Sequence, residues 1–184
     1  MLEMEQTNES LGLVLDALAF AARKHRDQRR KDPEASPYIN HPIALAFVLC
    51  NEAHIKDTEI LCAAILHDTL EDTATSVEEL SRRFGESVCR IVQEVSDDKT
   101  LPSQMRKRLQ IEHAANSSRQ AKLVKLADKI CNLRDIANSP PLGWSLSRRQ
   151  EYFEWARQVI DQLRGVHAGL EALFDATYAD KPVA

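Results

Sequence analysis

Residues 67–72 read HDTLED, and they follow seven consecutive apolar residues, Ile60 to Leu66. Three carboxylates this close repel one another, and charges at the end of so apolar a run are costly to bury unless something pairs them. A bound cation is the simplest compensation. On a helix, neighbouring residues point about 100° apart, so His67 and Asp68 can share one ion. Glu71 and Asp72 come about one turn later, over His67 and Asp68, near where a bound water would sit. The bland alternative is a helix end with a capping histidine and solvated acids. An HD dipeptide alone does not decide between the two.

Two further stretches do. His41, in YINHP, opens another helix beside a proline. The stretch KLVKLADKICNLRDI carries apolar residues (Leu123, Val124, Leu126, Ala127, Ile130, Cys131, Leu133) around nearly its whole circumference, as a central buried helix does. Asp128 neighbours Val124 and Cys131 on that helix and so points inward, where an unpaired carboxylate is costly. Taken alone, Asp128 is equally well explained by a salt bridge to a lysine or arginine. In chain order the set reads H…HD…D on three helices. Two imidazoles and two carboxylates suit a divalent ion that keeps open water positions. The oxygen share favours manganese or a similar metal over a closed structural zinc site.

The elements that must bring these residues together are helical. Leu11, Val14, Leu15, Leu18, Ala19 and Ala22 recur at helical spacing, predicting a helix over roughly 8–27. RDQRRKDPEASPY is a loop broken by Pro33 and Pro37. Asn40 is expected to cap a second helix with Pro42 in its first turn. Asp57 caps a third over about 58–70, and Ser76 with Glu79 has capping-box spacing for a short fourth. Gly85 separates that from a fifth over about 86–95. A sixth is expected near 103–114, and Ser117 with Gln120 opens another running to about 137. After NSPPLGWS, a long final helix over about 146–178 contains Gly165 and Gly169, which can bend it or let a neighbour approach. No repeat, low-complexity segment or linker interrupts the chain.

The 184 residues are 43% hydrophobic, enough for one core. With five glycines, three tyrosines and few β-branched runs, an all-α fold is expected. The formal charge of −4 argues against a general grip on nucleic acid. Cys50, Cys62, Cys89 and Cys131 lie far apart with no C-x-x-C, as small core residues in a reducing compartment do. MLEMEQTNES lacks a signal-peptide pattern, and no apolar run reaches ~18 residues. A cytoplasmic protein with no membrane span is therefore expected.

With these residues in place, the chain resembles the HD-domain metal-dependent phosphohydrolases and, more narrowly, the hydrolase domain of the RelA/SpoT family. The stretches AARKHRDQRRKDPEASPYINHP, AAILHDTLEDT, EVSDDKTLP, KLVKLADKICNLRDI and RRQEYFEWA carry the resemblance. HDTLED, with Glu-Asp after the HD, is far more specific than HD alone. The chain has no room for the synthetase and regulatory domains of the long bifunctional members, and so is similar to the stand-alone small alarmone hydrolases of animals. The resemblance implies a single HD domain over 1–184 (core about 8–178), a bundle of about eight to ten helices. It also implies manganese-dependent cleavage of (p)ppGpp, guanosine 3′,5′-bis(diphosphate) and its pentaphosphate analogue, at the ribose 3′ position, giving GDP or GTP and pyrophosphate.

By position, the resemblance makes His41, His67, Asp68 and Asp128 the metal ligands, and Glu71 and Asp72 the catalytic pair. The chemistry of the residues agrees: Glu71 can position a metal-acidified water and take its proton, while Asp72 orients Glu71 or an outer water. Arg29, Arg30 and Lys31 on their own read as a solvated basic loop, but the resemblance puts Arg30 and Lys31 at the substrate. Asn132 lies one turn after Asp128 and can hydrogen-bond a ribose or base edge. Arg148 and Tyr152, also one turn apart, offer a cation and a phenol to phosphates. Ser103 departs from the pattern where some relatives carry a basic residue.

Two other functions compete. One is an HD phosphohydrolase acting on another nucleotide, such as removal of the 2′-phosphate of NADPH, which the same metal and water chemistry would serve. The other is a non-catalytic metal-binding or nucleotide-sensing module, which would be expected to have lost Glu71, Asp72 or a ligand; all are present.

Overall fold

The computed structural model describes residues 2–183, with side chains from Glu9 on. Nine α-helices follow one another among the described residues. They are α1 (Leu2–Lys24), α2 (Asn40–Phe47), α3 (Thr58–Leu66), α4 (Thr69–Asp72), α5 (Val77–Val95), α6 (Ser103–Ala114), α7 (Arg119–Asn138), α8 (Leu146–Asp161) and α9 (Ala168–Ala179). A π-helical turn, Val48–Glu52, extends α2. The expected all-α class is observed, and no strand occurs among the described residues beyond an isolated bridge between Arg29 and Pro37.

The apolar run before the HD dipeptide becomes α3. Asp57 caps it, accepting from the N–H groups of Glu59 and Ile60 at 2.9 and 3.3 Å. Such a cap is worth about 1 kcal/mol. Ile60 and Cys62 through Leu66 are buried because α1, α2, α5 and α7 all pack on α3. On the far side α7 is covered by α8 and α9. Its buried residues run from Ala121 to Ile136, as its all-round apolar pattern requires. The core joins these layers through Phe20, Phe153, Phe174 and the leucines between them.

Several expected boundaries differ. The helix expected over 58–70 stops at Leu66, because the Thr69 hydroxyl takes the Leu66 carbonyl at 2.7 Å in competition with the helical bond. Winding resumes in α4, and Asp72 still donates its N–H to the Asp68 carbonyl at 2.8 Å. Asn40 is not the cap of α2: Ile39 holds that place with helical dihedrals. The carbonyls of Pro37 and Tyr38 take the N–H groups of Asn40 and His41. Ser118, not Ser117, caps α7, with its own N–H drawn onto the Glu94 carboxylate at 2.6 Å. The long final helix is two: the chain leaves α8 through Gly165 at φ 88°, a conformation that favours glycine. Glu171 gathers the N–H groups of Gly165, Val166 and His167 at 2.9–3.0 Å, and the His167 ring caps α9. At Gly85, φ is 87°, so α5 bends where a separation was expected.

The loop between α1 and α2 is closed by main-chain bonds, Arg30 N–H to Ser36 O and Tyr38 N–H to Gln28 O. Leu142 N–H reaches Lys31 O at 2.9 Å and fastens this loop to the one between α7 and α8. The two loops thereby form facing walls of a cleft that ends at His41.

Candidate metal centre and nucleotide cleft

His41 enters from the first turn of α2, His67 and Asp68 from the α3–α4 junction, and Asp128 from mid-α7. Ligand atoms of His41, His67 and Asp128 all lie within 4.8 Å of one another. Asp68 stands just outside that triangle, its Oδ2 2.8 Å from His67 Nε2, and it accepts from the Tyr38 hydroxyl. Residues up to 87 positions apart are thus brought close together.

The donor set fits a cation. His67 Nδ1 donates to the Ala64 carbonyl at 2.8 Å, so the lone pair of the neutral ring is on Nε2. That atom is buried and makes no hydrogen bond of good angle among the described residues, although Asp68 Oδ2 is 2.8 Å away. A lone pair facing a carboxylate oxygen at this distance is repulsive until a proton or a metal ion comes between them. Without metal the proton does so: burial disfavours charge on His67, but Asp68 and Asp128 outweigh it and push its pKa up to about 9. Burial likewise works against the charges on Asp68 and Asp128. His67 and His41 nevertheless hold Asp68 below the usual carboxylate range, and Lys129 with both histidines holds Asp128 well below it. Both acids are therefore anions, which a divalent ion requires.

Asp128 is fixed by neighbours on its own helix. Lys129 Nζ reaches Oδ2 at 2.8 Å and Asn132 Nδ2 reaches Oδ1 at 2.6 Å, while His41 Nε2 is 3.2 Å from Oδ1. Lys129 is itself buried, with Nζ 4.6 Å from the Trp155 ring centre. Glu71 accepts the Asp97 N–H at 3.0 Å and lies 3.2 Å from Lys99 and 3.6 Å from Arg106. Burial raises the Glu71 pKa above the ordinary glutamate value, with Asp68 and Asp97 adding to it against the Asp97 N–H and Lys99. Asp72 is held by Lys99 at 2.5 Å and by the Gln28 amide at 3.1 Å. Lys99 therefore bridges the two carboxylates.

Three adjoining cavities meet here. The outer cleft, about 460 Å³, is lined by Arg29, Arg30, Lys31, Asn132, Trp144 and Tyr152 among others. The inner cavity, about 180 Å³, holds the four H…HD…D side chains with Glu71, Asp97, Lys125 and Lys129, and shares Arg30, Tyr38, His41, Asn132 and Tyr152 with the outer cleft. A third, about 500 Å³, contains Ser103, Lys107, Arg148 and Tyr152. Of the substrate residues expected from sequence, Arg30, Lys31, Asn132 and Tyr152 line the outer cleft. Arg30 is engaged by Asp135, and Lys31 is exposed. Arg148 lies one cavity away, its guanidinium 4.4 Å from the Trp144 ring centre.

Sequence reasoning missed Tyr38, Gln28, Asp97, Lys99, Arg106 and the pair Lys125 and Lys129. Asp97 and Lys99 sit in a loop with no periodicity to betray them. Lys125 was within reach: it precedes Asp128 by three residues and so shares its helix face.

Residues 17–152 match the HD domain. A guanosine-3′,5′-bis(diphosphate) 3′-pyrophosphohydrolase, MESH1, of Xenopus tropicalis is 55% identical over 172 residues, covering 94% of this chain and 96% of that protein. The Homo sapiens protein of the same name is 60% identical over 158 residues, covering 86% and 88%. A solved structure described as a metazoan orthologue of SpoT that hydrolyses ppGpp superposes with a TM-score of 0.89 at 50% identity, covering 94% of this chain and 97% of that one. No helix among the described residues is long and apolar enough to cross a membrane.

Proposed function

Because the chain belongs to the HD-domain family of hydrolases, we propose that it hydrolyses (p)ppGpp at the ribose 3′ position to GDP or GTP and pyrophosphate. The observation that carries the reading is the triangle of His41, His67 and Asp128 donors, with a lone pair of His67 aimed at a carboxylate, at the foot of a cation-walled cleft. The names of the relatives support the guanine nucleotide as substrate.

His41, His67, Asp68 and Asp128 would hold the metal. Manganese suits their mixed imidazole and carboxylate set, and when bound it supplies Lewis acidity that makes a water more acidic and offsets charge on phosphoryl oxygens. Glu71 takes a proton from the attacking water; its burial brings its basicity closer to neutral pH, where a general base is most effective. Water adds to the phosphorus joined to the 3′ oxygen, the bond from that phosphorus to the 3′ oxygen breaks, and the 3′ oxygen leaves as a hydroxyl after taking up a proton. Both phosphoryl groups depart as pyrophosphate. Lys99 keeps Glu71 and Asp72 in register, and Asp72 orients the outer water. Arg30, Lys31, Asn132 and Tyr152 bind the nucleotide in the outer cleft, with Arg148 reaching its edge from the third cavity.

Purified protein loaded with manganese should be offered ppGpp, pppGpp and NADPH, and the products separated by anion exchange. Equimolar GDP and pyrophosphate from ppGpp is the expected result. Release of phosphate from NADPH with ppGpp left intact would overturn the assignment.

A further inference from the structure

The cations around the inner cavity are nearly all committed to anions of the protein. Arg30 is paired with Asp135, Lys129 with Asp128, and the neighbouring Lys99 with Glu71 and Asp72. Lys125 is the exception. It lines the inner cavity beside Glu71, Asp97, Asp128 and Trp155, yet among the described residues it has no ion-pair partner within 4.0 Å and no hydrogen bond. The side chain is half-buried, and burial with repulsion from Lys129 pulls its pKa down to about 8 against the attraction of Asp97, Asp128 and Glu71. Its complement is an anion that arrives from outside. Position supports this: Lys125 is three residues before Asp128 on α7, so the two side chains rise from one helix face toward the same cavity.

We propose that the inner cavity is the seat of the departing pyrophosphate and that Lys125 is the cation that contacts it. The inference rests on the (p)ppGpp reading, and it divides the site in two. The outer cleft, with Arg29, Arg30, Lys31 and Trp144, receives the nucleoside and its 5′ phosphates. The inner cavity receives the 3′ phosphoryl groups, between the H…HD…D side chains and Lys125. A cation held ready there neutralises charge on the leaving anion without any rearrangement at the moment of reaction.

The test uses inorganic pyrophosphate and GDP as probes of the two parts of the site. Binding of each to manganese-loaded protein is measured by calorimetry at matched free metal, for wild type, Lys125→Met and Lys125→Gln. Using two variants protects the test against the misfolding of either. Pyrophosphate affinity should fall roughly tenfold to a hundredfold in both, the usual worth of a charge-assisted hydrogen bond. GDP affinity and metal stoichiometry should be unchanged, which a merely structural role would not produce. Lys125→Arg should recover part of the loss. Wild-type pyrophosphate affinity in the folded variants, or equal losses for pyrophosphate and GDP, would overturn the assignment. Because these are binding measurements, they stand apart from turnover: a protein that binds pyrophosphate through Lys125 yet leaves ppGpp intact would refute the substrate and not the subsite.

Discussion

Glu71→Gln separates chemistry from metal binding. The substitution keeps the size of the side chain and one oxygen to accept the Asp97 N–H, now at 3.0 Å. It loses the attraction to Lys99 at 3.2 Å, but Lys99 keeps its 2.5 Å contact with Asp72. That loss, with the weaker one to Arg106 at 3.6 Å, is partly offset by no longer burying a charge, so the cost in stability is about 1 kcal/mol or less. What disappears is the group that takes the proton from water. A positioned general base is worth roughly 10²-fold or more, so the barrier should rise by about 2.7 kcal/mol or more. Single-turnover hydrolysis of ppGpp, metal content by elemental analysis and thermal melting should be measured on one preparation. Expected is a full complement of metal, a nearly unchanged melting temperature and a rate at least about a hundredfold lower. A variant that loses its metal would make Glu71 a ligand, and a wild-type rate would remove it from the chemistry.

Asp68→Asn should weaken metal binding and be partly restored by excess manganese; unchanged affinity in a metal titration would take Asp68 out of the ligand set. Arg30→Ala and Lys31→Ala should raise KM more than they lower kcat, the signature of lost ground-state binding. Unchanged kinetics in both would return that loop to solvent. The ion pair of Arg134 with Glu52, at 2.7 and 2.8 Å, holds the Glu52 carboxyl below the ordinary glutamate value. A folded pKa below the unfolded one means stability that is present above the unfolded value and lost as pH falls through the folded one. Glu52→Gln should therefore cost about 1 kcal/mol at neutral pH in denaturant melts, and progressively less as the pH falls below the ordinary glutamate range. A difference that persists in acid would assign the effect to packing.

The helices that carry the site were legible because their apolar residues have nowhere else to go. Leu123 through Leu133 ring α7 with hydrophobic surface, and that alone marks Asp128 as an inward acid. The HD dipeptide was legible for the same reason, at the end of a run too apolar to face water. Boundaries decided by side chains competing with the backbone were not. Thr69 ends α3 by taking a carbonyl, Glu94 moves the α7 cap from Ser117 to Ser118, and Glu171 winds the break that divides the final helix in two. Each depends on a partner placed by tertiary structure or on a choice among equivalent local bonds. The same holds for Lys99 and Asp97, which only the folding of their loop over α4 brings onto Glu71. Tyr38, in SPYINHP, has no spacing that marks it; its hydroxyl on Asp68 is visible only in three dimensions.

The most direct measurement is a manganese titration of metal-stripped protein with pyrophosphate release from ppGpp as the readout, run beside His67→Ala. No release without metal, a plateau at one ion per chain, and no plateau in His67→Ala are expected. Full release by the stripped protein, or a wild-type plateau in His67→Ala, would contradict the assignment of this cluster as the metal centre of the reaction.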